Sequence, residues 1–289
     1  MRVFVTGASG WIGRGVVPEL LDAGHEVIGL ARSDASAARI RGAEVLRGDL
    51  DDLDVLTEGA RRADAVIHLA YIHDFARFAD SARADLTAIQ TLGAALEGTG
   101  KPLTIASGVL GVRPGELLTE DFIPPRDLPH PRVQAARATL DLAERGVRSS
   151  IVRLAPTVHG EGDHGFVPEL IRAARESGVA AYLREGLNVW PAVHRDDAAT
   201  LFRLAIEKAP AGSVLHGVAE RGVPTREIAE TIGRHLGLPA RPADKIDSFL
   251  SDFYALDAPT SNDATWRLTG WTPGKPGLIA DLDEGHYFK

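Results

Sequence analysis

Cysteine is absent from this chain of 289 residues. Its absence excludes disulfides, a thiolate nucleophile and cysteine-ligated metals, so nothing ties the protein to an oxidising compartment, and we expect a cytoplasmic location. An excess of positive charge is also absent, because the formal net charge is -8 and the sequence pI is about 5.7. This balance argues against nucleic acid and anionic membranes as partners and favours a small-molecule substrate.

Long hydrophobic runs are missing as well. No uninterrupted apolar stretch reaches the roughly 18 residues that a spanning helix needs, and the N-terminus lacks the basic and apolar regions of a secretory signal. With 44% hydrophobic and 25% charged residues, the chain has the composition of a globular protein. Its length suits one large domain or a domain with a smaller lobe. A homodimer is compatible with this composition.

Short apolar and β-branched runs recur between helical or loop segments. The predicted strands are RVFVT (2–6), EVIGLA (26–31), AEVLRGD (43–49), DAVIHLA (64–70), PLTIASG (102–108), SSIVRLA (149–155) and VLHGV (214–218). Strands that alternate with helices predict an α/β fold with a Rossmann-type, doubly wound parallel sheet. Such sheets bind ligands at the carboxyl ends of their strands, so functional residues should follow these runs.

Three glycines, Gly7, Gly10 and Gly13, come directly after the first predicted strand, in TGASGWIG. A helical pattern of apolar residues follows them. In this context the first glycine allows a sharp turn, the second lets the backbone approach a pyrophosphate, and the third allows close contact between helix and strand. The amide groups at the helix start then face the phosphates. The sequence therefore predicts a dinucleotide-binding loop.

The G-x-x-G-x-x-G spacing resembles that of the short-chain dehydrogenase/reductase superfamily. The chain's length and later motifs resemble its extended and atypical branch of NAD(P)-dependent epimerases, dehydratases and reductases. The matching motifs are GDL (48–50), HLA (68–70), RLAPTVHG (153–160) and VHRDDAA (193–199). The resemblance implies cofactor contacts at Thr6, Gly7, Ser9, Gly10, Trp11, Ile12, Gly13, Asp49, Leu50, Leu69, Ala70, Pro156, Thr157 and Val158.

The end of the second predicted strand bears on which cofactor is bound. An acidic residue there would accept hydrogen bonds from the adenosine ribose, whereas an arginine matches a 2′-phosphate. This chain has Arg32 and Ser33 at that point, followed by Asp34, which favours NADP(H). Alternatively, Arg32 is a solvated surface charge and Asp34 or Asp49 binds the ribose, so that NAD(H) is the cofactor.

The usual catalytic signature is missing. Members of the superfamily carry Tyr-x-x-x-Lys about 25 residues after a serine that ends the fifth strand, and the lysine prepares the tyrosine for proton transfer. Ser107 resembles that serine, but the count from it leads to Arg132 and Ala136, and an arginine is too basic to serve as an acid at neutral pH. We therefore expect Ser107 to orient the substrate oxygen and Tyr71 to handle the proton, with His73 as the next candidate.

Two stretches leave the alternating pattern, at 159–190 and 220–289. We predict that they form a substrate-binding lobe, while 1–158 and about 191–219 form the dinucleotide-binding domain. The predicted pocket walls are Arg132, His159, Phe166, Tyr182 and Trp190, although each aromatic taken singly could be an ordinary core residue. No metal is expected, because HGEGDHG (159–165) lies on no predicted element that would fix a ligand geometry.

These observations predict an NADP(H)-dependent oxidoreductase that moves hydride between the nicotinamide C4 and a carbonyl, alcohol or imine carbon of a small molecule. One alternative is a redox-neutral epimerase or dehydratase that retains its NAD(P). Another is a sensor that binds NADP without turnover, which the missing Tyr-x-x-x-Lys favours.

Overall fold

The computed structural model describes residues 1–72, 77–109, 114–125, 128, 130–246 and 254–289. The α-helices in these residues are α1 (Gly13–Asp22), α2 (Asp34–Ala37), α3 (Leu53–Arg62), α4 (Phe78–Leu96), α5 (Pro131–Asp141), α6 (Phe166–Ser177), α7 (Arg195–Lys208), α8 (Thr225–Leu236), α9 (Asp263–Thr269) and α10 (Leu278–Asp283). Two 3-10 helices cover Leu142–Arg145 and His286–Phe288.

The strands alternate with these helices through most of the chain. They are β1 (Arg2–Thr6), β2 (Glu26–Ala31), β3 (Glu44–Arg47), β4 (Ala65–His68), β5 (Pro102–Gly108), β6 (Arg148–Leu154), β7 (Thr157–His159), β8 (Ala180–Leu183), β9 (Val189–His194), β10 (Ser213–Gly217), β11 (Glu220–Pro224) and β12 (Ala240–Ala243). The sequence prediction places β1, β2 and β5 with the same bounds. It misses the ends of the other strands of the main sheet by one or two residues.

Seven strands form the main sheet, in the order β10-β6-β5-β4-β1-β2-β3. Every pairing in it is parallel. The chain order reverses between β1 and β4, and this switch point creates a crevice at the carboxyl ends of the strands. The predicted Rossmann-type fold is confirmed.

Helices cover both faces of this sheet because successive strand residues point to opposite sides. Val3 and Val5 of β1 pack in a core with residues of α1 and α7. Phe4, between them, packs in a second core with residues of α3, α4 and α5. A strand buried on both faces is mostly apolar, which is why Val3, Phe4 and Val5 follow one another in β1.

A third core lies beyond the main sheet. Two smaller sheets, β11-β9-β7 and β12-β8, pack with α6, α8 and α10 around Tyr182, Trp190 and Tyr254. Most of this part of the chain lies in the stretches 159–190 and 220–289, but β7 and β9 extend beyond them. Its role as a substrate lobe stays a prediction. None of the helices in the described ranges has the length and apolar character needed to cross a bilayer.

Helix α3 approaches the sheet closely at Gly59, which provides a test of this packing. A Cβ at Gly59 would lie 2.5 Å from the ring of Phe4, and Phe4 is fully buried. We expect Gly59→Ala to lower the free energy of unfolding by about 1–3 kcal/mol in urea denaturation, despite the helix-propensity gain of about 1 kcal/mol.

The matched control is Gly274→Ala, because a Cβ there meets nothing within 4 Å. An equal change in the two variants would contradict the close contact between α3 and β1.

Candidate functional site

The glycine loop between β1 and α1 leaves no room for a side chain at Gly7 or at Gly13. Gly7 has a φ of +68°, and a Cβ there would lie 2.6 Å from the backbone nitrogen of Ala70 at the end of β4. A Cβ at Gly13 would lie 2.2 Å from the Gly7 carbonyl oxygen. At Gly10 a Cβ would meet only that same oxygen, at 3.1 Å, so the space above Gly10 is open. This cradle fits the pyrophosphate of a dinucleotide.

Trp11 joins the glycine loop to the segment after β6. Its Nε1 donates a hydrogen bond to the carbonyl oxygen of Val158 at 3.0 Å. The guanidinium carbon of Arg195, at the start of α7, lies 4.7 Å from the centre of the Trp11 ring. The structure thus brings together the two segments, 6–13 and 156–158, that the resemblance assigns to the cofactor.

The ends of β2 and β3 form the other side of the crevice. Arg32 and Ser33 are exposed there, and the Ser33 hydroxyl caps α2 by accepting from the backbone nitrogen of Ser36 at 3.2 Å. The Asp34 carboxylate forms an ion pair with Arg47. Arg47 ends β3 beside Ala31 of β2, and sequence reasoning did not single it out.

The GDL motif follows β3. Asp49 accepts a hydrogen bond through Oδ1 from the backbone nitrogen of Asp51 at 3.0 Å, and Leu50 is buried in the core with α3 and α4. The Asp49 side chain therefore stabilises the turn in which it lies. Its contact with the cofactor stays a prediction.

A chain of buried polar groups crosses the carboxyl ends of the central strands. His68 of β4 contacts Thr6 Oγ1 through Nδ1 at 2.8 Å and Asp85 Oδ1 through Nε2 at 3.1 Å. Since a carboxylate oxygen only accepts, Nε2 of His68 donates to Asp85. The other oxygen of Asp85 accepts from Nη1 of Arg132 at 3.1 Å, and Nη2 of Arg132 donates to the Ala106 carbonyl oxygen at 3.0 Å.

Arg132 lies over Tyr71, the first-choice proton donor. Its guanidinium carbon is 4.3 Å from the centre of the Tyr71 ring, within the range of a cation–π contact. Burial raises the pKa of the Tyr71 hydroxyl above its ordinary value, and the charge of Arg132 acts in the opposite direction. Tyr71 therefore holds its proton at neutral pH. Ser107, at the end of β5, lines the same crevice as Arg132.

The remaining predicted residues have different positions. His73 lies outside the described residues. His159 is fully buried, and its Nδ1 is 2.8 Å from Asp281 Oδ2 in α10, so its role as a pocket wall stays a prediction. Tyr182 and Trp190 belong to the third core, and Phe166 packs on Trp190 with 6.3 Å between ring centres. Trp190 also lines an apolar cavity of about 310 Å³ between α6 and α8.

Asp281, Glu284 and His286 form a group whose donor atoms lie within 4.8 Å of one another. The group includes the aspartate that contacts His159, but none of its members belongs to HGEGDHG (159–165). Glu284 is exposed, and exposed carboxylates often cluster without an ion. The sequence analysis did not consider this group, and its expectation that no metal is bound stays a prediction.

Sequence reasoning missed several buried charges, and two of them, Asp85 and Arg153, carry a signal in the sequence. Asp85 falls at helical spacing from the buried Ala82, Ala88 and Ile89, so it lies on the inner face of α4. Arg153 interrupts the apolar run of β6 and is 4% exposed. A charged residue at a position that periodicity assigns to the core indicates a buried site in which polar groups pair with it.

The chain belongs to the NAD dependent epimerase/dehydratase family, whose model matches residues 3–216. It is 47% identical to an uncharacterised protein of Schizosaccharomyces pombe over the whole of both chains. It is 26% identical to the 2-alkyl-3-oxoalkanoate reductase of Stenotrophomonas maltophilia, over 100% of this chain and 91% of the reductase. The fold matches MoeE5 in complex with UDP-glucose and NAD, with a TM-score of 0.76, 24% identity, and coverage of 98% of this chain and 96% of MoeE5.

The buried carboxylate of Asp85 is the group to test in this network. Asp85→Asn keeps the shape of the side chain but removes the charge that pairs with Arg132, and it leaves a half-buried cation uncompensated. We expect the free energy of unfolding to fall by on the order of 3 kcal/mol in urea denaturation at neutral pH.

Asp80→Asn, on the same helix, is the matched control. Asp80 is exposed and lies 3.5 Å from Arg83, so its loss should cost less than about 1 kcal/mol. Indistinguishable losses in the two variants would show that the network contributes no more than a surface pair.

Proposed function

We propose that this protein is an NADP(H)-dependent oxidoreductase that acts on a carbonyl, alcohol or imine of a small molecule. The observation that carries the proposal is the Arg132 guanidinium, held by Asp85 and lying on Tyr71 beside Ser107. This arrangement places a protonated hydroxyl, a fixed cation and a second hydroxyl at the carboxyl ends of β4 and β5, where the fold binds its ligands.

The residues present fit a dinucleotide. The cradle of Gly7, Gly10 and Gly13 leaves space only for backbone and ligand, and the adjoining segment that begins at Thr157 is fixed to the loop through Trp11. When bound, a nicotinamide cofactor supplies or accepts the hydride.

Residues of the chain then orient the substrate oxygen and donate a proton to it. The Ser107 hydroxyl donates a hydrogen bond that orients this oxygen, and the Tyr71 hydroxyl donates the proton during reduction. The charge of Arg132 stabilises the phenolate that proton donation leaves behind. Thr6, His68 and Asp85 keep that guanidinium in place through the hydrogen bonds that join β1, β4 and α4.

NADP(H) is the proposed cofactor because of the charges at the end of β2. Arg32 is exposed at this point, whereas Asp34, the nearest carboxylate in sequence, is engaged by Arg47. A guanidinium fork matches a phosphate, and the Asp34 carboxylate already accepts a hydrogen bond from Arg47. The likeness to a reductase, the 2-alkyl-3-oxoalkanoate reductase, supports hydride transfer to a carbonyl substrate.

A redox-neutral epimerase or dehydratase is the second candidate. Membership of the epimerase/dehydratase family favours it, as does the likeness in fold to a structure determined with UDP-glucose and NAD. An enzyme of this kind would retain its nicotinamide through purification and would not consume NADPH with a carbonyl substrate. A protein that binds NADP(H) but turns over neither type of substrate would instead be a sensor.

Cofactor choice is tested with Arg32→Glu. The substitution puts a negative charge beside the proposed 2′-phosphate and removes a charged hydrogen bond, so we expect NADPH affinity to fall by at least about 1.5–3 kcal/mol. NADH affinity should fall less or should rise. Fluorescence titration of both cofactors measures the difference, and equal losses would show that Arg32 does not bind the phosphate.

The proton donor is tested with Tyr71→Phe, which keeps the ring beneath Arg132 and removes only the hydroxyl. We expect kcat for NADPH oxidation with a carbonyl substrate to fall about 10²–10⁴-fold. NADPH affinity serves as the internal control, because the glycine loop and Arg32 are unchanged. If kcat and its pH profile stay as in the wild type, Tyr71 is not the donor.

A further inference from the structure

Three arginines surround the crevice in front of Ser107. The crevice lies between β5, β6 and α5, and its lining includes Ser107, Ile123, Pro124, Arg132, Arg137 and Arg153. No carboxylate is among its lining residues in the described part of the chain. This positive lining contrasts with the net charge of -8 of the whole chain, so the crevice has an electrostatic character of its own.

Arg153 has donors that its surroundings do not use. It is 4% exposed, and the hydrogen bond that the described residues provide runs from Nη1 to Nε2 of His216 at 3.4 Å. Burial lowers the pKa of Arg153 to about 10, and the charge of Glu120 acts in the opposite direction. Within the described ranges, no carboxylate lies within ion-pair distance, 4.0 Å, of the guanidinium.

Two polar neighbours of Arg153, His216 and Glu120, also bond to other groups. Burial lowers the pKa of His216 to about 4, so its ring is neutral, and its Nδ1 donates to the carbonyl oxygen of Ser261 at 2.7 Å. Glu120 accepts hydrogen bonds from both the backbone nitrogen and the hydroxyl of Thr265, at 2.7 and 2.8 Å. A buried guanidinium with so little compensation is costly unless an anion completes its shell.

Arg137 adds a second set of unused donors. Its Nη2 donates to the carbonyl oxygen of Pro124, but its Nε is buried and has no hydrogen-bond partner in the described part of the chain. Arg132 differs from both, because its guanidinium is committed to Asp85 and Ala106. Two cations, Arg137 and Arg153, are thus left to bind a ligand in the crevice.

We propose that the substrate carries a carboxylate, which Arg153 and Arg137 bind in this crevice while Ser107 and Tyr71 hold its carbonyl group. The proposal rests on the oxidoreductase function argued above. It identifies the substrate class as an oxo acid, whose reduction forms the corresponding hydroxy acid by adding a hydride to the carbonyl carbon and a proton to its oxygen.

The geometry favours a short distance between the two substrate groups. Ser107 and Arg153 are direct neighbours in the register of β5 and β6, and adjacent strands lie about 4.8 Å apart. The carbonyl and carboxylate carbons of a 2-oxo or 3-oxo acid are close enough for both contacts. The half-exposed Ile123 at the edge of the crevice offers an apolar contact to the rest of the substrate.

The first test compares a 3-oxo acid with its methyl ester as substrates of the full-length protein and NADPH. Because a charged hydrogen bond is lost in the ester, we expect kcat/KM for the acid to exceed that for the ester by about 10- to 100-fold in the wild type. In Arg153→Gln and Arg137→Gln this ratio should fall towards one. Arg148→Gln is the matched control, since Arg148 lies at the other end of β6 and donates to carbonyl oxygens of 206 and 209, and it should keep the wild-type ratio.

The second test measures binding without turnover, by calorimetry with butyrate and its neutral analogue butyramide in the presence of NADP⁺. We expect the wild type to bind butyrate at least about tenfold more tightly than butyramide, and Arg137→Gln to lose that preference. Arg137 is half-buried, so this variant and the acid–ester comparison in the wild type decide the question even if Arg153→Gln fails to fold.

The outcomes separate the two proposals. Arginine-dependent butyrate binding without NADPH oxidation by any carbonyl compound would support the carboxylate site and overturn the oxidoreductase function. Reduction of neutral ketones and oxo acids with equal kcat/KM, together with no preference for butyrate, would support the oxidoreductase function and overturn the carboxylate site. Tighter binding of inorganic phosphate than of butyrate would overturn the assignment to a carboxylate.

Discussion

The buried carboxylate of Asp85 connects the two halves of the candidate site. One of its oxygens accepts from His68, which contacts Thr6 at the start of the glycine loop, and the other accepts from Arg132, which covers Tyr71. A carboxylate that is buried so completely is stable only when hydrogen-bond donors surround it. One side chain therefore connects the glycine loop, the end of β4 and the start of α5.

The tyrosine and the cation occupy different positions from those that the resemblance leads one to expect. Members of the superfamily carry the proton-transferring tyrosine and its cation on one helix, four residues apart. Here the cation, Arg132, stands at the position expected for the tyrosine, and under the proposed mechanism the tyrosine is Tyr71, after β4. The exchange keeps a hydroxyl and a cation in contact at the same edge of the sheet. The physical requirement is their proximity, and the fold can meet it from two different elements.

The distribution of charge matters more for this site than its total. The chain carries 40 acidic and 32 basic residues, and its formal net charge is -8. The crevice beside Ser107 is nevertheless lined by guanidinium groups. In a narrow site with low-dielectric walls, such groups act on a bound anion more strongly than exposed carboxylates do at a distance. An acidic protein can for this reason hold an anionic ligand.

The sequence by itself determined the fold class and the glycine loop, because both arise from local patterns. A strand buried on both faces is mostly apolar, as Val3, Phe4 and Val5 show in β1, and Gly7 must be glycine because of its positive φ and its contact with Ala70. Counting from Ser107 also showed that Arg132 replaces the expected tyrosine. Which side chains contact one another depends on the packing of segments that are distant in the sequence. Asp85 of α4 contacts His68 and Arg132, and His216 of β10 contacts Arg153. Only the tertiary structure decided which charges are compensated, and which guanidinium donors remain for a ligand, because hydrogen bonds form between groups that the chain brings together only when it folds.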